Sequence, residues 1–222
     1  MKKTALILSA GALLALNANA AIIITGVMDG DLTGGEPKAI ELYNTGASSF
    51  DLSALTLEFY ANSSTTITTS SALSGTIPAG GFFYLLGTGD TPEFQSLFGT
   101  SGDFANTAEF SAVNSNGDDT YQLVDGLSTV LSSYGELGVD GTGTAWDFVD
   151  SYAYRISNNT DTGAFDVNDF TYAGASALND LDASQQGAAV PFGTFTAVPE
   201  PQTYAAIAGL MVLGLAVYRR RK

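Results

Sequence analysis

"ALTLEFYA", residues Ala54–Ala61, alternates without a break. Leu55, Leu57 and Phe59 project to one side, and Thr56, Glu58 and Tyr60 to the other. A period of two is that of an extended strand with one face covered. Working outward, "AIIITGVM" (Ala21–Met28), "KAIELYN" (Lys38–Asn44), "GFFYLLG" (Gly81–Gly87), "TAEFSAV" (Thr107–Val113) and "TYQLVD" (Thr120–Asp125) read as further short strands. Turn clusters such as Asn114-Ser115-Asn116-Gly117 and Gly87-Thr88-Gly89 separate them. Many short strands without helical spacers predict an all-β fold, a β-sandwich.

One short helix interrupts the pattern. Thr91 is placed to N-cap it, Pro92 suits its first turn, Glu93 favours the positive end of the dipole, and Gly99 ends it. Phe94, Leu97 and Phe98 then share one face, as core-packing residues do. The Ser/Thr-rich stretch Ala61–Thr76 reads either as an exposed strand pair with a mobile connection or as a site for O-linked sugars. Ser184–Val198, rich in small residues, reads as a flexible linker.

Charge is distributed unevenly. Six of the eight Lys and Arg lie at the two ends, so Ala21–Val198 holds only Lys38 and Arg155 against 22 acidic residues, a formal charge of −20. Such a body repels phosphate backbones, which argues against nucleic-acid binding, and it attracts divalent cations. There is no Cys, and about 178 residues can bury a sufficient core without disulfides. With no His either, Ser-His-Asp and Cys-His catalysis, imidazole bases and His/Cys zinc sites are excluded. Carboxylates, tyrosines, hydroxyls and two cations remain.

The ends carry transport signals. Lys2 and Lys3 precede an apolar run, Ala5–Leu16, and Ala18-Asn19-Ala20 supplies an A-x-A cleavage site. Residues 1–20 therefore read as a signal peptide cut after Ala20 by signal peptidase. At the other end, the uncharged run Ala205–Val217 is flanked by Tyr204 and Tyr218 and closed by Arg219, Arg220, Arg221 and Lys222. As a single apolar helix its 15 residues, tyrosines included, rise ~22 Å, short of the roughly 30 Å of a hydrocarbon core. Snorkelling arginines complete the span, and the terminal cations favour the cytoplasmic side.

Val198-Pro199-Glu200-Pro201, the short apolar helix and the Arg-Arg-Arg-Lys end together resemble the PEP-CTERM sorting signal of exported proteins in exopolysaccharide-producing Gram-negative bacteria. The resemblance implies an exosortase-type membrane protease as partner and a transient inner-membrane anchor. Release at the cell surface or outside the cell would follow.

The body resembles the lamin-tail domain, an immunoglobulin-like β-sandwich. The resemblance rests on "IIITGVM", on "KAIELYNTGASSFDLSALTLEFY" with Ile40-Glu41-Leu42-Tyr43-Asn44 at its centre, and on "GGFFYLLG" and "GDDTYQLVDG". The closing segments "AWDFVDSYAYR" and "FDVNDFTYAG" complete it. The organisation expected is a signal peptide (1–20), a lamin-tail-like sandwich (21–183), a flexible linker (184–198) and a PEP-CTERM tail with a short transmembrane helix (199–222).

Candidate sites are few. Asp29-Gly30-Asp31 is like the start of a calcium loop, but position twelve is Ile40 and Glu41 falls one place late, so an ordinary acidic turn is favoured. Further acidic groups are Asn116, Asp118 and Asp119; Asp140, Asp147 and Asp150; and Asp161, Asp166 and Asp169. Asp29, Asp31, Asp118, Asp119, Asp161 and Asp166 are thus the candidate Ca²⁺ ligands, with no other cofactor expected. Trp146, Tyr152, Tyr154 and Tyr172 are of the type that stacks on sugars or fills a sandwich core. Arg155, alone among carboxylates, is expected in a structural ion pair.

The reading of the whole is an exported, non-catalytic surface or matrix protein, structural or adhesive in exopolysaccharide-associated biofilm. Two alternatives stand beside it: a calcium-dependent carbohydrate-binding module, and a secreted hydrolase working through paired carboxylates.

Overall fold

A computed structural model describes residues 22–158, 161–197 and Tyr218. The signal-peptide reading (1–20), the motif Val198–Pro201, the apolar helix read over Ala205–Val217 and the basic end Arg219–Lys222 lie outside the described residues. Among the described residues no helix is long and apolar enough to cross a membrane.

In chain order the strands are β1 (Ile22–Leu32), β2 (Glu36–Asn44), β3 (Phe50–Asp51), β4 (Leu55–Tyr60), β5 (Thr69–Ala72) and β6 (Thr76–Ile77). There follow β7 (Phe82–Leu86), helix α1 (Thr91–Phe98), β8 (Thr107–Glu109), β9 (Thr120–Asp125), β10 (Val130–Tyr134), β11 (Tyr152–Arg155), β12 (Phe170–Tyr172) and helix α2 (Ala183–Ala189). Two sheets dominate: a six-stranded sheet in the order β12-β11-β1-β2-β7-β8 and a four-stranded sheet in the order β10-β9-β4-β5. They pack face to face as an immunoglobulin-like β-sandwich.

The alternation in β4 has the expected consequence. Leu55, Leu57 and Phe59 are buried in the core between the sheets, with Ile22, Ile24, Ile40, Leu42 and Leu85 from the opposite sheet. Tyr60, expected on the open side, is also buried, and its hydroxyl donates to Glu58 at 2.6 Å.

β1 is buried on both faces, and a register shift between Ile24 and Gly26 sorts its side chains. Before the shift Ile22 and Ile24 face the inner core and Ile23 the outer; after it Val27 faces inward and Met28 outward. A bulge of this kind changes the parity of a strand, and burial on both faces is why apolar residues run on without alternation here. Gly26 sits at the close approach: a Cβ there would lie 2.6 Å from Phe192 and 2.8 Å from Tyr154. β7 is likewise two-sided, with Phe83 and Leu85 inward and Phe82, Tyr84 and Leu86 outward.

The outward residues are covered by a third layer, of which the sequence reading anticipated only helix α1 with its core-packing face of Phe94, Leu97 and Phe98. α1, α2 and residues 190–197 lie over the six-stranded sheet and bury Phe94, Leu178, Val190, Phe192 and Phe195 against Tyr84 and Tyr154. The flexible linker expected over 184–198 is thereby corrected for its described part. Asp182 and Gln185 form a capping box at the start of α2, Gln186 is fully buried, and Gly187 packs so closely that a Cβ would meet Leu97 O at 2.3 Å.

Two smaller differences have local causes. Thr91 is the first residue of α1 rather than its cap: Glu109 accepts from the backbone N–H groups of Gly89 and Thr91 and from Thr91 Oγ1, while Asp90 holds the cap position without a capping bond. β8 pairs in parallel with β7 but stops at Glu109, because Phe110–Val113 closes a turn. The polar stretch Ala61–Thr76 contains edge strand β5 on β4, and most of its side chains are exposed.

Candidate functional site: three buried charge clusters

Lys38 and Arg155 both meet buried carboxylates, and a further cluster surrounds a carboxylate with no cation. Arg155, at the end of β11, has only 1 % of its surface exposed. Its Nε donates to Ile24 O at 2.9 Å, Nη2 to Asp161 at 2.7 Å and Nη1 to Asp169 at 3.2 Å, and the guanidinium stacks 4.5 Å above the Phe170 ring. Asp161 also accepts from Ser132 Oγ, which in turn accepts from Ile24 N–H. Ser132 belongs to β10 and Ile24 to β1, so this cluster clasps the two sheets together. Burial raises the Asp161 pKa, opposed by the Arg155 charge and the hydrogen bonds. The structural ion pair expected for Arg155 is present.

Glu41, in the middle of β2, is fully buried on the outer side of the six-stranded sheet. Oε1 accepts from Thr25 Oγ1 at 2.6 Å and Tyr154 Oη at 2.8 Å, and Oε2 accepts from Gly193 N at 2.5 Å. Tyr154 Oη also receives the N–H groups of Thr194 and Phe195. The cluster therefore fastens segment 190–197 to the sheet. Tyr84 lies beside it, its buried hydroxyl within electrostatic reach of the Glu41 carboxylate. Burial pushes the Glu41 pKa up to about 7, with its donors opposing.

In the third cluster, Lys38 Nζ is paired with Asp29 Oδ1, and Asp150 N–H donates to Asp29 Oδ2 at 3.1 Å. Asp90 accepts the Lys38 backbone N–H at 2.6 Å. Desolvation raises the pKa of both Asp29 and Asp90.

These placements disperse the candidate calcium ligands. Asp29 is bound to Lys38 and Asp161 to Arg155; Asp166 caps a short turn by accepting from Asn168 N. Asp31 engages Gln186 through its backbone N–H. Asp118 and Asp119 are adjacent, but Thr142 Oγ1 donates to the first, Asn62 N to the second, and the Asn116 amide nitrogen to both. Among the described residues no group of three or more His, Cys, Asp or Glu side chains is placed to hold a metal ion.

Of the aromatics named for sugar stacking, Trp146 packs edge-on against Tyr134 in the inner core and Tyr154 lies in the outer one. Tyr152 and Tyr172 are half-buried. A surface groove of about 650 Å³ runs between Glu136, Thr144, Phe165 and Asp166. Sequence reasoning missed the Glu41 cluster entirely. Its signal was a lone Glu among apolar residues, with Ile40 and Leu42 beside it, in a strand buried on both faces.

Two packed sheets clasped by buried charge, with a third layer over one of them, define a β-sandwich domain. The family model that matches is described as Lamin Tail Domain and covers residues 16–154, and the chain belongs to that family. No curated protein matches the chain. The match ends at Tyr154, so Asp161, Asp169, Phe170 and the segment that meets Glu41 lie beyond it.

Proposed function

We propose that the chain is a non-catalytic, exported lamin-tail protein, delivered to the cell surface or matrix by its two terminal signals and acting there as a scaffold or adhesin. The observation that carries the non-catalytic reading is the commitment of both cations of the body: Arg155 is spent on a sheet-to-sheet clasp and Lys38 on a buried aspartate. Neither is left to bind an anionic substrate or stabilise developing negative charge. Export rests on the signal-peptide pattern of residues 1–20 and on the PEP-CTERM-like tail, both read from sequence. The intact mass of the protein recovered from culture supernatant tests this: loss of both ends is the expected result. Recovery solely in membranes with Lys222 still present would contradict sorting.

A second reading is kept for one observation, the groove at Glu136, Thr144, Phe165 and Asp166, whose mix of carboxylates, hydroxyl and ring suits an oligosaccharide. Calorimetric titration with host exopolysaccharide, with and without Ca²⁺, separates the two. Saturable binding lost in Phe165→Ala would make the protein a carbohydrate-binding module, whereas absence of heat leaves the scaffold.

A further inference from the structure

The hairpin β1–β2 brings together groups that neither sheet clasp uses. Asp29 and Lys38 stand directly opposite each other in the antiparallel register, and Lys38 Nζ touches Asp29 Oδ1. The Asp29 side chain is 3 % exposed and that of Lys38 21 %, so little water separates or solvates the pair. Oδ2 of the same carboxyl is held by the Asp150 N–H. Asp90, itself buried, is anchored on the Lys38 backbone and lies within electrostatic reach of the Lys38 charge. Glu36, Lys38 and Asp90 line a cleft of about 270 Å³.

An amine, a desolvated carboxyl with one oxygen on a backbone N–H, and a second buried carboxyl able to carry a proton are the parts that an amide-forming condensation needs. We propose that Lys38 and Asp29 condense to an intramolecular isopeptide bond joining β1 to β2, with Asp90 as the proton carrier.

The step begins with transfer of one proton from the ammonium to the carboxylate, giving an amine and a carboxylic acid. The Lys38 Nζ lone pair attacks Asp29 Cγ and the new N–C bond forms, while the Asp150 N–H stabilises the negative charge gathered on Oδ2. A proton passes from Nζ through Asp90 to Oδ1. The Cγ–Oδ1 bond then breaks and water leaves. One ammonium and one carboxylate become one amide and one water, with no change in oxidation state and no other reactant. Oδ2 remains as the amide oxygen, still accepting from Asp150. The bond is independent of any ligand the protein binds, and it prevents the first hairpin from unzipping at that rung.

Mass spectrometry of the folded full chain, intact and after denaturation and trypsin digestion, tests this directly. The expected wild-type chain is lighter by one water, resists cleavage after Lys38, and yields one uncut tryptic peptide running through Lys38 to Arg155, itself lighter by one water, whose fragmentation places the closed loop between Asp29 and Lys38. Asp29→Ala shows the full mass of its sequence, and Asp90→Ala leaves both partners unlinked. Wild-type protein of full mass that trypsin cuts after Lys38 overturns the proposal, and this outcome needs no variant to fold. A missing water that maps to any other residue overturns it equally, and a fully linked Asp90→Ala chain removes Asp90 from the reaction.

Discussion

The six-stranded sheet is covered on both faces, and the two faces are closed by opposite means. Its inner face meets a second sheet, and the polar group that ties the two is a guanidinium ringed by carboxylates: Arg155 with Asp161 and Asp169. Its outer face meets helices and the segment 190–197, tied by a carboxylate ringed only by neutral donors: Glu41 with Thr25, Tyr154 and Gly193. A buried cation with partners keeps its charge and gives fixed geometry. A buried carboxylate without a cation moves toward holding a proton instead. The inner closure is therefore expected to be insensitive to pH near neutrality and the outer one sensitive.

Removing the cation should break the comparison most severely. Arg155→Ala leaves Asp161 buried without its partner, a loss of about 3–5 kcal/mol for a broken buried pair. Urea unfolding should show a much lower midpoint; a midpoint within experimental error of wild type would mean that the clasp contributes nothing.

The outer closure is tested by titration. The folded Glu41 pKa, about 7, lies above its ordinary 4.5, so the folded state binds more protons between those values. Its stabilising contribution is complete below about pH 4.5 and is lost as pH rises through 7. Stability should fall by up to about 3 kcal/mol across that window. Glu41→Gln should be weaker at pH 5, because its amide meets the Gly193 N–H, and should show a distinctly smaller slope in this range, the raised pKa values of Asp29, Asp90 and Asp161 leaving the remainder. An equal slope in both proteins would assign the pH dependence elsewhere.

The smallest effect concerns the covering layer alone. Asp182→Ala removes the capping box of α2 and should cost about 1 kcal/mol, seen as faster hydrogen exchange in Ala183–Ala189 with the strands unchanged.

How much of this was legible follows from where each signal lay. β4 was plain in "ALTLEFYA" because one face is buried and period two survives. β1 and β7 were found as apolar runs, but their two-sided burial means that a further layer must exist, and that inference was open from "IIITGVM" and "FFYLL" alone. Of the layer itself only α1 was legible, from its Pro92, Glu93 and Gly99 signals; the rest was hidden. Most of residues 184–197 are small or polar, their few large apolar residues follow no period, and their value lies in distant partners: Gly187 against Leu97, Gly193 against Glu41, Phe192 against Gly26. Arg155 was legible because a solitary cation among many carboxylates has little choice of partner. Glu41 was not, since periodicity places a strand but does not say whether its second face is wet. The acidic loops were legible as loops only, because convergence on a cation depends on register between segments far apart in sequence.

A closed outer face requires residues 183–197 to be part of the folded domain rather than a tether behind it. Comparing a chain ended after Asp182 with one ended after Ala197, by thermal unfolding and binding of an apolar dye, tests that most directly. The shorter chain should expose the Tyr84, Phe94 and Tyr154 surface, bind the dye and unfold at a distinctly lower temperature. Identical melting and no dye binding in the two chains would contradict it.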